Sequence, residues 1–186
     1  MRVFVAVDIT DEMRRKLSDL EKNFEGEDFD IKLVEPKNLH ITLKFLGEVK
    51  ENDVNEIKNI IKNVCKGFKP FKVSVKGLGF FGSEKYIRVL WFDICEGKDE
   101  LVKLMEKLDD TLGYIRKETG SMVPHLTIGR VKSGRNREKL LKKIHSLSDV
   151  NIGEFVVKEI KLKESILTKD GPIYHDVEVF KLGKDE

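Results

Sequence analysis

The chain has 186 residues, with 35 Lys plus Arg against 33 Asp plus Glu, so its formal net charge is only +2. This near balance excludes a strongly basic protein that coats nucleic acid by charge alone. The 40% hydrophobic content argues against a disordered chain. The apolar run from Val3 to Val7 ends at Asp8, too short for a signal-peptide core or a membrane span. We therefore expect one domain over residues 1–186, in the cytoplasm, with no membrane association.

The spacing of apolar residues predicts alternating short strands and amphipathic helices. In the first half of the chain, the predicted elements are a buried strand over 1–9, a helix capped by Thr10, strands over 31–34 and 39–49, and a helix after Asn52. A strand over 71–75, a turn-rich stretch at Gly77, Gly79 and Gly82, and a strand over 86–94 follow. The second half has a helix over 101–112, a strand over 124–131, a helix over 140–147, and two closing strands near 155–166 and 173–182. The strand over 86–94 is apolar on both faces, which predicts a central position in its sheet.

The two halves of the chain repeat one pattern. Each half has a helix, a strand beginning His-apolar-Thr-apolar, a second helix and then a pair of strands. The repeated tetrapeptides are His40–Leu43 and His125–Ile128. This order is not the strict strand–helix alternation of a doubly wound parallel sheet. The pattern predicts an α+β fold made of two similar lobes that face each other.

The spacing within each tetrapeptide has a physical meaning. Side chains alternate across a strand, so His40 and Thr42 share one face, as do His125 and Thr127. If the lobes pack with these faces opposed, two imidazoles and two hydroxyls converge in one cleft. Imidazole is the side chain best suited to move protons near neutral pH, and hydroxyls can donate to phosphate oxygens. The motifs therefore predict acid–base phosphodiester chemistry, although a duplication that serves packing alone would leave the same pattern.

We expect no cofactor and no metal. Two histidines with no Asp, Glu or Cys at ligand spacing are a poor zinc set. Cys65 and Cys95 form no CxxC pair and are typical of buried thiols in a reducing compartment. Gly77, Gly79 and Gly82 spell GxGxxG, but no helix opens after them, which argues against a dinucleotide site.

Several segments carry a family resemblance over essentially the whole chain. Arg2–Ala6, Asn38–Glu48 and Val123–Arg130 resemble the RNA 2',3'-cyclic phosphodiesterases, first named 2'-5' RNA ligases, which are LigT/ThpR-like members of the two-histidine phosphoesterase superfamily. Arg88–Trp91 and Gly171–Tyr174 fit the same pattern. The resemblance implies a bilobal, pseudo-twofold α+β fold. In it, two mainly antiparallel sheets face a central cleft and the helices lie outside.

The resemblance also implies an activity. The family hydrolyses a terminal 2',3'-cyclic phosphate of RNA to a 2'-phosphate and joins RNA ends, such as tRNA halves, by a reversible 2'-5' linkage. Carried over by position, His40 is the proton donor to the departing 3' oxygen and His125 is the base that activates water. Thr42 and Thr127 hold phosphate oxygens. The residues alone leave the two histidine roles interchangeable, because the motifs are nearly symmetric. No sequence feature indicates an oligomer, so we expect a monomer by default.

Each of three further residues near the motifs has two possible roles. Arg130 matches an arginine of the family that contacts phosphate, but strict alternation points it away from His125 unless the strand bends near Gly129. Lys44 shares the face of His40 by alternation and is either an RNA contact or a solvated residue at the rim of the cleft. Phe45 falls on the buried side, which predicts a core residue rather than a base-stacking one.

A basic stretch follows the second motif directly and includes Lys132 and Arg135. Such a stretch is usually a solvated face, but its position favours contacts to the RNA backbone.

Two other functions stay open. One is a non-catalytic RNA-binding adaptor, and the other is a phosphodiesterase for a small cyclic nucleotide or a 2',5'-oligonucleotide.

Overall fold

The computed structural model describes residues 1–183 as an α+β fold. Its strands and helices are β1 (Arg2–Asp8), α1 (Asp11–Glu21), β2 (Ile31–Leu33), β3 (His40–Glu48), α2 (Val54–Lys66), β4 (Phe71–Gly82), β5 (Ile87–Ile94), α3 (Lys98–Leu112), β6 (His125–Val131), α4 (Arg137–Ser146), β7 (Asn151–Val157), β8 (Glu159–Thr168) and β9 (Gly171–Lys181). Short 3-10 turns lie at Lys22–Phe24, Pro36–Asn38 and Glu51–Asp53.

The strands form two antiparallel sheets. One has four strands in the order β3-β1-β8-β9, and the other has five in the order β2-β6-β5-β4-β7. The predicted fold class, an α+β fold with two antiparallel sheets, is confirmed. Strand β5 lies inside its sheet, as its two apolar faces predict. Strands β3 and β6, which begin with the two histidine motifs, lie next to each other across the sheets.

The helices cover the outer faces of the sheets with their apolar stripes. Helices α2 and α3 pack on the four-stranded sheet, while α1 and α4 pack on the five-stranded sheet. Helix α1 begins after Thr10, whose hydroxyl accepts a hydrogen bond from the Met13 amide at 3.2 Å, as expected of an N-cap. On α2, the fully buried residues Ile57 and Ile61 recur at helical spacing. No helix within residues 1–183 has the length and apolar character needed to cross a membrane.

Two sequence predictions about strands are wrong. The predicted turn-rich stretch is the second half of β4, because Gly77 takes a φ of +89° and the pairing with β5 shifts between Val75 and Leu78. A β-bulge of this kind absorbs residues without ending the strand. The closing region contains three strands rather than two. Strand β7 completes the five-stranded sheet, and after one residue the chain crosses to the four-stranded sheet as β8.

Candidate active site

Both histidine motifs lie at the start of their strands and face a cavity between the sheets. His40 and Thr42 line this cavity from β3, while Ile41 and Leu43 are buried on the opposite face. His125 and Thr127 line it from β6, and Leu126 and Ile128 are fully buried behind them. The structure therefore brings together the four polar residues that the alternation of side chains predicts.

The cavity has a volume of about 460 Å³, within the range of small-ligand sites. Arg2, Lys32 and Arg130 contribute three positive charges to its wall, and Phe4, Phe45, Leu167 and Tyr174 contribute apolar surface. Glu35 and Asp170 are the acidic residues at its edge. A cavity that combines cationic and aromatic groups suits an anion joined to a planar, partly apolar group.

The backbone holds the two imidazoles in the same way. Nδ1 of His40 donates to the carbonyl oxygen of Asn38 at 2.7 Å, and Nδ1 of His125 donates to the carbonyl oxygen of Val123 at 2.7 Å. A carbonyl oxygen can only accept, so the proton of each neutral ring sits on Nδ1. Each Nε2 is then available to take or give a proton. In His40, Nε2 lies 2.9 Å from Oγ1 of Thr42, whose hydroxyl donates to it.

The surroundings of the two rings differ. His40 packs against Phe4 and Tyr174, with ring centroids 5.1 and 5.4 Å away. Burial lowers the pKa of His40, and the smaller opposing effect of the hydrogen bond to the Asn38 carbonyl does not cancel it. His125 packs edge-to-face with Phe81 and Trp91, with ring centroids 4.9 and 6.1 Å away, and those two rings stack on each other at 4.9 Å. In the free protein, His40 therefore favours the neutral imidazole.

Each motif strand contains a β-bulge at the same place. In the β1–β3 pairing, Thr42 lies opposite Ala6 and Lys44 lies opposite Val5, so Leu43 has no partner of its own. In the β5–β6 pairing, Ile128 is skipped in the same way between Thr127 and Gly129. An extra residue reverses the direction of every side chain that follows it. The bulges therefore decide which residues reach the cavity beyond the two threonines.

The prediction that Lys44 contacts RNA or lies at the rim is wrong because of this bulge. Lys44 points to the opposite face of β3, where its Nζ lies 2.8 Å from Oδ1 of Asp109 on α3. The two side chains are only 2% and 4% exposed. Asp109 also contacts Lys117 Nζ at 2.9 Å and accepts from the Glu118 amide at 2.8 Å. Burial alone would raise the pKa of Asp109, but these partners hold it well below its usual value.

The same bulges bring Phe45 and Arg130 to the cavity. Phe45 is not a core residue as predicted; its ring lies in the cavity wall, with the guanidinium groups of Arg2 and Arg116 at 5.0 and 5.1 Å from its centroid. Arg130 likewise lines the cavity rather than the buried face. Each of the two follows the motif threonine by three residues, so they occupy equivalent places on the two sheets.

The basic residues after the second motif do not line this cavity. Arg135 Nη1 donates to the carbonyl oxygen of Glu27 at 2.9 Å, and Lys132 lines a separate cavity beyond the end of β6. Their contacts to RNA remain predictions. Conversely, the sequence reasoning assigned no role to Lys32, although its register partner in the sheet is Arg130. Nor did it assign one to Tyr174, which lies in a segment that carries the family resemblance.

A cationic cavity that holds two equivalent imidazoles and two hydroxyls is characteristic of a site for proton transfer at a phosphate ester. The family model described as LigT like phosphoesterase matches residues 7–91 and 94–174 of the chain. The chain therefore belongs to this phosphoesterase family, which confirms the resemblance drawn from its motifs.

Relatives and solved structures agree with this family. The chain is 40% identical over 185 residues to the RNA 2',3'-cyclic phosphodiesterase of Methanothermobacter thermautotrophicus, covering 98% of this chain and 99% of that protein. It is 42% identical over 175 residues to the enzyme of the same name from Methanocaldococcus jannaschii, covering 94% and 96%. The crystal structure of TT0787 of Thermus thermophilus is similar over 100% of both chains, with 27% identity and a TM-score of 0.83. E. coli LigT, at 19% identity and a TM-score of 0.76 over 98% of both chains, has the same fold.

Proposed function

We propose that the chain is an RNA 2',3'-cyclic phosphodiesterase that opens a terminal cyclic phosphate to a 2'-phosphate by two-histidine acid–base catalysis without a metal. The observation that carries this proposal is the matched orientation of the two imidazoles. Both have Nδ1 fixed by a backbone carbonyl and Nε2 available for proton transfer, in one cationic cavity. The names of the relatives that cover nearly the whole chain support the same substrate class.

The proposed reaction needs two proton transfers on opposite sides of one phosphorus atom. Neutral His125 takes a proton from a water molecule at Nε2, and the water oxygen forms a bond to phosphorus. The bond between phosphorus and the 3' oxygen breaks, and protonated His40 gives its Nε2 proton to that oxygen. The products are a 2'-phosphate and a free 3'-hydroxyl, and a second turnover requires the proton to pass from His125 back to His40.

The protonation of His40 also changes the role of Thr42. Neutral Nε2 accepts from the Thr42 hydroxyl at 2.9 Å, but a protonated Nε2 is a donor and cannot accept this bond. The hydroxyl is then free to donate to a non-bridging phosphate oxygen, as Thr127 does from the other strand. An anionic phosphate beside the ring favours the charged imidazolium. Bound substrate therefore raises the pKa of His40, against the lowering that burial causes.

The negative charge that builds on phosphorus needs fixed positive groups. Arg130 and Arg2 line the same cavity as the two motifs and supply such charge. A 5'-hydroxyl of a second RNA in the place of water would give a 2'-5' linkage by the same steps. Cleavage of that linkage would exchange the proton roles of His40 and His125. Cleaved tRNA that ends in a 2',3'-cyclic phosphate on one half and a 5'-hydroxyl on the other has the two ends that this joining requires.

An RNA oligomer that ends in a 2',3'-cyclic phosphate tests the proposal. We expect conversion to the 2'-phosphate, identified by mass and by comparison with authentic 2'- and 3'-phosphate ends, with undiminished rate in EDTA. The same oligomer with a 3'-phosphate is the matched control and should stay unchanged. Tight binding with no turnover would refute the proposal in favour of an adaptor. Turnover of cyclic mononucleotides or 2',5'-oligonucleotides without turnover of the RNA would refute it in favour of a small-molecule enzyme.

A further inference from the structure

A second cavity lies at the end of β6 that follows Arg130. Its volume is about 880 Å³, and its wall combines the turn between β4 and β5 with the turn that precedes α4. Lys85, Arg88, Lys132 and Arg137 all line it. None of the residues that line it is acidic. Within residues 1–183, Lys85, Arg88 and Lys132 make no salt bridge, so their charges are available to an anionic ligand.

The β4–β5 turn presents an aromatic ring beside these charges. Ser83 and Tyr86 exchange two backbone hydrogen bonds of 3.0 Å, which fix the turn. Gly82 takes a φ of +116°, and a Cβ there would overlap the carbonyl oxygen of Tyr86, so the turn requires glycine. Arg137 Nη1 donates to the Lys85 carbonyl at 3.3 Å and ties the turn to α4. The Tyr86 side chain nevertheless stays 74% exposed, on a turn whose backbone is already ordered.

Strand geometry connects this cavity with the candidate active site. Arg130 is the last residue but one of β6, and Lys132 follows directly after the end of that strand. At about 3.3 Å per residue, Lys132 is at most about 17 Å from Thr127 along the chain. A 2',3'-cyclic phosphate stands at the 3' end of an RNA, so every other nucleotide of the substrate lies on one side of the reacting phosphorus. Arg130 lines the candidate active site and Val131 and Lys132 line the second cavity, so consecutive residues of the chain join the walls of the two cavities.

We propose that this second cavity binds single-stranded RNA upstream of the terminal nucleotide, with its cations on phosphates and Tyr86 stacked on a base. The combination of a positively charged groove with an exposed ring is the usual arrangement for single-stranded nucleic acid, and every base offers a face for stacking. This proposal rests on the proposed function and adds to it a preference for substrates longer than a mononucleotide.

The test compares substrates of different length in one variant and one matched control. The substrates are a 2',3'-cyclic mononucleotide and RNA oligomers of increasing length with the same cyclic end. The variant is Lys85→Gln/Tyr86→Ala, which changes two exposed side chains of the β4–β5 turn. The control is Lys103→Gln/Tyr114→Ala, a pair that is also exposed, with Lys103 on α3 and Tyr114 just after it, outside both cavities.

For the wild-type protein, KM should fall as the oligomer grows until the RNA spans both cavities. The variant should raise KM for the long oligomer by about tenfold or more and leave turnover of the mononucleotide unchanged, while the control matches the wild type. Loss of one phosphate contact should also reduce the slope of log KM against log salt by about 0.7. Equal KM values for variant and wild type on the long oligomer would overturn the second binding site while the proposed function stands. Absence of turnover on every cyclic substrate would instead refute the proposed function.

Discussion

The buried contact between Lys44 and Asp109 joins the strand of the first motif to helix α3. The Nζ–Oδ1 distance is 2.8 Å, and neither side chain is more than 4% exposed. Removal of one partner of a buried pair leaves the other charge without compensation, at a cost of about 3–5 kcal/mol. Asp109→Asn should therefore lower the free energy of unfolding by about that amount, since Lys44 then faces an amide in a dry site.

Urea unfolding at pH 7, followed by far-UV circular dichroism, measures this loss. Asp110→Asn is the matched control, because the neighbouring Asp110 is 72% exposed and only 3.4 Å from Lys117. That variant should unfold like the wild type, as exposed pairs contribute little. The double variant Lys44→Met/Asp109→Leu replaces both charges by apolar groups and should recover most of the stability. A loss of less than about 1 kcal/mol in Asp109→Asn would refute the reasoning, because that is the scale of an exposed pair.

Three further predictions follow from single side chains. Glu21 is 4% exposed, and burial raises its pKa to about 8 from 4.5. The fold favours the protonated carboxyl, so the free energy of unfolding should fall as pH rises from about 4.5 to about 8. Glu21→Gln should remove this decline and be about 1–3 kcal/mol more stable than the wild type at pH 9, as measured by urea unfolding. Superimposable curves of stability against pH for the variant and the wild type would contradict this prediction. Arg130→Gln should lower kcat/KM by about 10–100-fold while the exposed Arg15→Gln does not, and equal values would exclude Arg130 from the phosphate site. Saturating phosphate should raise the pKa of His40 in an NMR titration, and an unchanged pKa would separate His40 from the anion.

The sequence predicts most of the fold because its elements are amphipathic and end at clear turn residues. The pairing of His40 with Thr42 and of His125 with Thr127 follows from strand alternation, and the structure has both pairs in the cavity. Prediction by alternation still holds at Leu43 and Ile128 but fails for the residues after them, because a bulge inserts one residue there. A bulge depends on how two strands pair across the sheet, so a single strand's pattern does not reveal it.

The consequences of the bulges are specific. Lys44 turns from the predicted cavity to a buried ion pair, whereas Phe45 turns from the predicted core to the cavity wall. Arg130 reaches the cavity by the same change in direction, for which the buried Gly129 was the one local signal. The glycine at position 77 indicated a turn, but in the structure Gly77 lies at another bulge, in β4. The division of the closing region between two sheets was equally hidden, because β7 and β8 are separated by one residue and differ only in their pairing partners.

The most direct test of two-histidine catalysis is the turnover number of His40→Ala and of His125→Ala on an RNA with a 2',3'-cyclic phosphate end. His145→Ala is the matched control, because His145 is exposed on α4, away from the cavity. Each motif variant should lose about 10²–10⁴-fold in kcat, the usual contribution of a general acid or base, and keep a cooperative urea transition. The control should turn over like the wild type. Turnover near the wild-type rate in either folded motif variant would contradict the proposed mechanism.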